Sequence, residues 1–323
     1  MDGCFPTPPR RPAVRTGAPP HGPSGGAEVA MFRRGSRVRA LRGAELETAR
    51  RLALREPVAN ALAGARLLDL TRHGSPGAEF SLAGEEGAPE GLLWHGVNIS
   101  PLTATDRALE DFGRHLAGGP RRASSVVGPR RAVERLWAPL GDAWSPQVRE
   151  YRWSQPLLLA DPAPTADPDT GESPEPSSAG PAGLRPARAG EEAAVFPASV
   201  AMFREEVGMD PTRGDGGRSY GRRVADLVRA GRTYVVMEAG RVVFKADVGA
   251  VFGPVAQIHG VWVRPDRRSH GLGRTAMAEL ATLVRRDHAP QVSLYVNAYN
   301  EAARRAYAAA GYRQVGELST ILF

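Results

Sequence analysis

Apolar positions in the second half of the chain switch between two periods, and the switches mark out its elements. Over Thr275–Arg286, Ala276, Met277, Leu280, Leu283 and Val284 share one face at helical spacing. Gln291–Val296 instead alternates, with Val292, Leu294 and Val296 on one side, the period of a half-buried strand. Arg232–Glu238 and Arg241–Val251 are β-rich arms about Ala239-Gly240, which predicts a hairpin. Gly253-Pro254 then turns the chain into a strand over Val255–Val263. Helices are expected over Glu191–Val207, Tyr220–Ala230 and Glu301–Ala310, the last capped by Asn300 and stopped at Gly311. A short strand at Leu184-Arg-Pro-Ala opens this half, and Tyr312–Phe323 closes it as a strand.

The first half carries a weaker pattern between about Arg37 and Ala160. Ala44–Leu54 and Pro57–Gly64 read as helices and Arg66–Leu70 as a strand. Strands follow at Leu92–Val97 and Arg122–Val127, with helices at Ala104–Leu116 and Pro129–Leu140, and Tyr151–Leu159 is extended. The strand–helix–strand–helix order repeats that of Val255–Ala310, which suggests a decayed copy of the second half. Between the halves, residues 161–183 are acidic, Pro-rich and without an aliphatic side chain larger than Ala, the composition of a disordered linker. Residues 1–36 are rich in Pro, Gly and Arg and cannot bury a core, so a disordered basic tail is expected; translation starting at Met31 instead of Met1 fits equally well. The expected organisation is therefore a tail (1–36), an N-terminal domain (37–160), a linker (161–183) and a C-terminal domain (184–323). The fold class is α/β (α+β), a mixed central sheet flanked by helices.

Composition narrows the function classes. A net charge of +7 and a pI near 10.1 raise nucleic acid as a partner. However, Lys245 is the only lysine, and the arginines spread over helices and loops without an interleaved aromatic platform. That is a bias of the whole chain and argues against a dedicated nucleic-acid surface. Cys4 is the sole cysteine, which excludes a disulfide framework or a cysteine-based metal site. No segment has the apolar core of a signal peptide, and no run approaches the roughly 18 apolar residues that span a bilayer. A cytoplasmic location without membrane contact is the expectation.

The candidate chemistry lies where the strand Val255–Val263 meets its helix. Arg268-x-x-Gly271-x-Gly273 joins them, a basic glycine loop at a helix start. Glycines let a ligand approach the backbone, and the free N–H groups with the helix dipole favour an anion such as a phosphate. The spacing is not a dinucleotide fingerprint, which needs Gly-x-Gly-x-x-Gly with an acidic residue about 20 positions on, nor a P-loop, since no Gly-Lys-Ser/Thr follows. Downstream, Asn300-x-x-Ala303-x-x-x-Tyr307-x-x-x-Gly311-Tyr312 forms a second motif.

These two motifs, with Val261-x-Val263 before them, closely resemble the GCN5-related N-acetyltransferase (GNAT) superfamily over roughly Leu184–Phe323. The phrases Met202-Phe-Arg-Glu-Glu-Val-Gly, Phe244-Lys-Ala-Asp-Val and Ser293-Leu-Tyr-Val-Asn further resemble an actinobacterial group of such proteins with an uncharacterised N-terminal domain. The resemblance implies an acetyl-CoA-dependent N-acetyltransferase acting by direct attack of an amine acceptor, with a degenerate GNAT-like domain in front. It implies that the main chain of Val261, Trp262 and Val263 pairs with the pantetheine arm. The loop of Arg268, Ser269, His270, Gly271, Leu272 and Gly273 would hold the pyrophosphate, with Arg274 as an extra cation. Asn300 would bond the cofactor arm while capping its helix, and Tyr307 would act as general acid toward the sulfur. A phenol has a pKa of about 10 against about 8.5 for a thiol, so such a donor is chemically reasonable.

The base is less well specified. Relatives that acetylate protein N-termini often carry Glu where this chain has Tyr295. His259 has the right ordinary pKa, about 6.5, if it faces the site, and a water relay serves equally. The missing carboxylate keeps open an alternative, a non-catalytic acyl-CoA-binding or scaffolding protein. No metal ligand set is apparent, and neither the acceptor amine nor the oligomeric state can be read from the residues.

Overall fold

The computed structural model describes residues 37–161 and 182–323. The expected N-terminal tail and all but the ends of the expected linker lie outside the described residues. The first half runs β1 (Val38–Ala40), α1 (Leu46–Ala53), α2 (Ala61–His73), β2 (Phe80–Glu85), β3 (Ala88–His95), β4 (Asn98–Leu102), α3 (Asp106–Ala117), β5 (Ser125–Pro129), α4 (Arg130–Trp137), α5 (Gly141–Trp144) and β6 (Glu150–Ala160). The second half runs β7 (Arg185–Pro186), α6 (Glu192–Val207), α7 (Arg218–Arg229), β8 (Thr233–Glu238), β9 (Arg241–Phe252), β10 (Val255–Val263), α8 (Leu272–Asp287), β11 (Gln291–Tyr295), α9 (Glu301–Ala309) and β12 (Tyr312–Leu322).

Apart from the short α5, the two halves repeat the same order of elements. Each opens with a strand and two helices, continues through an antiparallel three-strand meander, and crosses through a helix to a parallel strand. β4 and β5 are parallel across α3, as β10 and β11 are across α8. All twelve strands form one mixed sheet in the order β1-β2-β3-β4-β5-β12-β6-β11-β10-β9-β8-β7. The last strands are exchanged: β12 pairs with β5 of the first half, and β6 pairs with β11 of the second. β6 and β12 also pair with one another along most of their length, from Tyr312↔Ala160 to Leu322↔Glu150.

Three local readings are corrected. Residues 66–70 belong to α2, because Ala61, Gly64 and Leu67 bury one helical face and the short run Leu67-Leu68 carries no period of its own. Asn98–Leu102, assigned to no element from the sequence, is β4; Pro101 is tolerated because parallel pairing with β5 covers only Asn98 and Ile99. β2 was not recognised, since its residues Phe80 to Gly84 are buried without alternation. The hairpin at Ala239-Gly240 is present, with φ of 47° and 75° at the two turn residues.

Candidate functional site

The main cleft forms where β10 and β11 part. Their parallel pairing runs from Val255↔Gln291 to Ile258↔Leu294 and stops. β10 continues to Val263, leaving the edge of residues 259–263 toward β11 without a strand partner. On its other edge β10 is bulged against β9 between His259 and Trp262, and Gly260 there takes a φ of 56°. The bulge has a specific support. Lys245, fully buried on β9, donates to the Gly260 carbonyl at 3.2 Å and to Asp247 Oδ2 at 2.6 Å, and Asp247 also accepts from the Thr233 hydroxyl at 2.9 Å. The chain's one lysine thus pins the strand where it splays.

The cleft has a volume of about 500 Å³ and is lined by residues of both halves. His259, Val261, Trp262, Asn300 and Tyr307, all singled out from the sequence, meet there. Leu62, Asn98 and Gln155 come from the first half. Gln155 of β6 is buried and ties β12 to the segment after β11, accepting from Thr320 at 2.6 Å and donating to Asn297 Oδ1 at 2.8 Å. Val263 and the residues from Arg268 to Arg274 do not line this cleft; they continue from the end of β10 into the adjoining loop.

That loop ends at Gly271, which sits at the N-cap of α8 with a φ of 83° and supplies no capping side chain. The first backbone bond across the turn runs from Thr275 N–H to the Gly271 carbonyl at 3.1 Å. The amides before Thr275 are therefore not consumed by the helix. A Cβ at Gly271 would meet nothing within 4 Å, so the space above the helix start is open. Ser269 also takes a left-handed φ of 63°, and His270 is exposed with Nδ1 against the Arg268 carbonyl. Arg268 turns back: its guanidinium donates to the Val263 carbonyl at 2.9 Å and to Glu205 at 2.7 Å, while Glu205 also accepts from Trp262 Nε1. Arg274 is exposed and has no ion pair among the described residues. In the first half the corresponding helix start, α3, is closed to an anion. Thr105 caps it by accepting from Ala108 N–H, and Asp106 puts a negative charge in the first turn.

Asn300 and Tyr307 stand on the far wall. Asn300 caps α9, accepting from Ala303 N–H at 3.2 Å, and is exposed at the cleft mouth. Tyr307 is 8% exposed, and its hydroxyl has no hydrogen-bond partner among the described residues. Burial raises its pKa well above that of an ordinary phenol, with the nearby negative charge of Glu206 adding to it, so it keeps its proton. Tyr295 is similarly pushed up to about 12 by burial. His259 donates from Nε2 to Gln257 Oε1 at 3.0 Å and packs edge-on against Tyr295. Burial, with the positive charge of Arg223 nearby, drops it to about 4, so the imidazole is neutral and a weak base. The base expected at His259 is thus the least suited of the candidates.

The residue that sequence reasoning missed is Glu206, on the last turn of α6. It faces the cleft and is exposed there, while protein crowds it on the other sides. That crowding lifts its carboxyl above the ordinary glutamate range despite the attraction of Arg152 and Lys245. Its carboxylate makes no hydrogen bond or ion pair among the described residues, whereas its carbonyl accepts from Arg152 of β6 at 2.7 Å. Its charge acts on Tyr220, Tyr295 and Tyr307. A signal was present: Val195, Ser199 and Met202 form the inward stripe of α6, and Glu206 continues it.

Residues 212–312 match the acetyltransferase (GNAT) family, and residues 78–174 match a domain of unknown function, DUF4081. No curated protein matches the chain in sequence. Among solved structures, the chain is similar to a GCN5-related N-acetyltransferase from Sphaerobacter thermophilus, at 19% identity and a TM-score of 0.52, covering 88% of this chain and 94% of that one. It is similar to a GNAT-family acetyltransferase from Colwellia psychrerythraea at 10% identity and a TM-score of 0.50, covering 88% and 99%. A tandem GNAT protein from the clavulanic acid biosynthesis pathway aligns at 15% identity and a TM-score of 0.50, covering 88% and 97%. At these identities the likeness is one of fold, and it extends over both halves. No helix among the described residues is long and apolar enough to cross a membrane.

Proposed function

We propose that this chain, a GNAT-family protein by its residues 212–312, is an acetyl-CoA-dependent N-acetyltransferase whose single competent site lies in the second half. The observation that carries the reading is the parting of β10 and β11 beside an uncapped α8, with Tyr307 on the facing helix. An open strand edge suits a ligand with alternating amides, such as a pantetheine arm, and the free amides of α8 suit its pyrophosphate. Asn300 and Tyr307 stand on the opposite wall of the same cleft. Acetyl-CoA supplies the activated acetyl group as a thioester.

The chain's own residues would do the rest. Val261, Trp262 and Val263 hold and polarise the acyl end through their main chain. Glu206, with its raised pKa, receives the proton of the acceptor amine. Tyr307 donates to the departing sulfur. Its high pKa opposes full transfer, but the same dry wall raises the basicity of the thiolate too. His259, neutral, is left to shape the cleft with Gln257 and Tyr295. The first half has no equivalent helix start and contributes Leu62, Asn98 and Gln155 as walls.

Incubating the full chain with acetyl-CoA and a panel of amines, and following free thiol together with acetylated product, tests this reading. Acetyl-CoA binding without thiol release for any amine would support a non-catalytic acyl-CoA-binding role instead.

A further inference from the structure

Resting on that reading, the charges left unpaired in the cleft say what the acceptor carries. Two ionic side chains in its lining lack partners among the described residues, Glu206 on α6 and Arg223 on α7. Apart from Arg232 just before β8, the other charged groups around them are committed. Glu205 is held by Arg268 and Trp262, Asp247 by Lys245 and Thr233, Arg229 by Asp226 and Arg204 by Asp210. Glu206 and Arg223 both line this one cleft. Yet they form no ion pair with each other within 4 Å. The gap between an unpaired carboxylate and an unpaired guanidinium is complementary to a molecule bearing an ammonium and a carboxylate.

A second cavity, of about 360 Å³, opens from this gap. It shares Met202, Phe203, Arg223, His259 and Gly260 with the main cleft and extends along Tyr220, Val224 and Leu227 of α7. Val224, Leu227 and Ala230 give it an apolar wall beside the charged Asp226, Arg232 and Asp247, and an apolar part of a ligand fits against the first three. We propose that the acceptor is an α-amino acid with an apolar side chain, its ammonium at Glu206, its carboxylate at Arg223 and its side chain in the second cavity. In the transfer, Glu206 takes one ammonium proton and the nitrogen forms the C–N bond as the thioester C–S bond breaks. The second proton leaves the nitrogen as the sulfur leaves as thiol, and the net products are the N-acetylamino acid, free CoA and one proton.

The test compares L-leucine, L-methionine and L-phenylalanine with their C-terminal amides and with 3-methylbutylamine, using the full chain. Calorimetric binding in the presence of CoA is measured beside kcat/KM for acetyl transfer. The acids should bind and react roughly tenfold to a hundredfold better than the amides, the worth of a charge-assisted contact. Arg223→Gln should bring that ratio close to one, and Arg223→Lys should restore part of it. Amides or 3-methylbutylamine reacting as well as the acids would overturn the proposal while leaving the acetyltransferase reading intact. Amino acids that neither bind nor react would also overturn it. Binding that depends on Arg223 without any thiol release would support the amino-acid site and refute the transfer reaction.

Discussion

Replacing Lys245 with Met removes the support of the β10 bulge, and its effect can be worked out from the contacts. The side chain is fully buried, and its ammonium is shared between the Asp247 carboxylate at 2.6 Å and the Gly260 carbonyl at 3.2 Å. Methionine fills the same volume, so the packing cost is small. What remains is a largely buried carboxylate without its counter-charge. Breaking such a pair costs about 3–5 kcal/mol, and Asp247 keeps its bond from Thr233, which favours about 3 kcal/mol. The unsatisfied Gly260 carbonyl adds about 1 kcal/mol. A total of about 4 kcal/mol corresponds to a fall in Tm of roughly 8–15 °C for a unit of this size. Differential scanning calorimetry on Lys245→Met and on Lys245→Met/Asp247→Asn measures it, and the double variant should recover part of the loss because no charge is left alone. A single variant that melts within about 2 °C of the parent, less than 1 kcal/mol on the same scale, would refute the account. So would a double variant less stable than the single one.

Other outcomes follow from the same geometry. Glu206→Gln should lower kcat/KM for transfer roughly 10²–10⁴-fold, and the acid limb of the parent's pH–rate profile should sit above about 4.3, the ordinary glutamate value; a full-rate variant removes Glu206 as base. Tyr307→Phe should reduce kcat about 10–100-fold with little change in KM for acetyl-CoA, since only a bond to the departing sulfur is lost; an unchanged kcat shows that Tyr307 is a packing residue. Gly273→Glu should abolish CoA binding in a titration without loss of stability, because its Cβ would meet Val263 at an ordinary 3.6 Å, whereas Gly271→Glu adds backbone strain at φ 83°; retained affinity in Gly273→Glu would place the phosphates elsewhere. His259, at about 4 in the fold against about 6.5 unfolded, adds stability that is complete above pH 6.5 and lost as pH falls toward 4, up to about 3 kcal/mol. The Tm of the parent should therefore fall more steeply over that window than that of His259→Gln, and parallel curves would contradict the burial of the ring.

Period and turn chemistry made most of the second half legible. The α8 stripe, the Ala239-Gly240 hairpin and the Asn300 cap all lie where local rules place them, because each is settled by neighbours close in sequence. The first half was harder for a physical reason. Its β2 is buried throughout, its β4 contains Pro101, and α2 begins as a short apolar run, so neither period shows clearly. The site divides in the same way. Val261, Trp262, Asn300 and Tyr307 stand in motifs with fixed spacing, and the fold gathers them into one cleft. Glu206, Arg223 and Gln155 come from three elements with no shared spacing, and only the tertiary arrangement shows that they meet. His259 illustrates the opposite failure: the residue type suited a base, but its surroundings drain its basicity.

The exchange of last strands also governs the order in which the protein can be made. β5 lacks its neighbour on one edge until residues 312–322 have left the ribosome, because β12 follows all the other strands of the sheet in sequence. Until then the first half presents an unpaired strand edge beside buried apolar residues such as Val126 and Leu136, a surface prone to wrong pairing. β6, already made, waits for β11 and β12 on both sides. A chain cut before Tyr312 would thus be left with exposed edges on both β5 and β6, and the loss would damage the first half as much as the second. Neither half can therefore be shed without opening the sheet of the other.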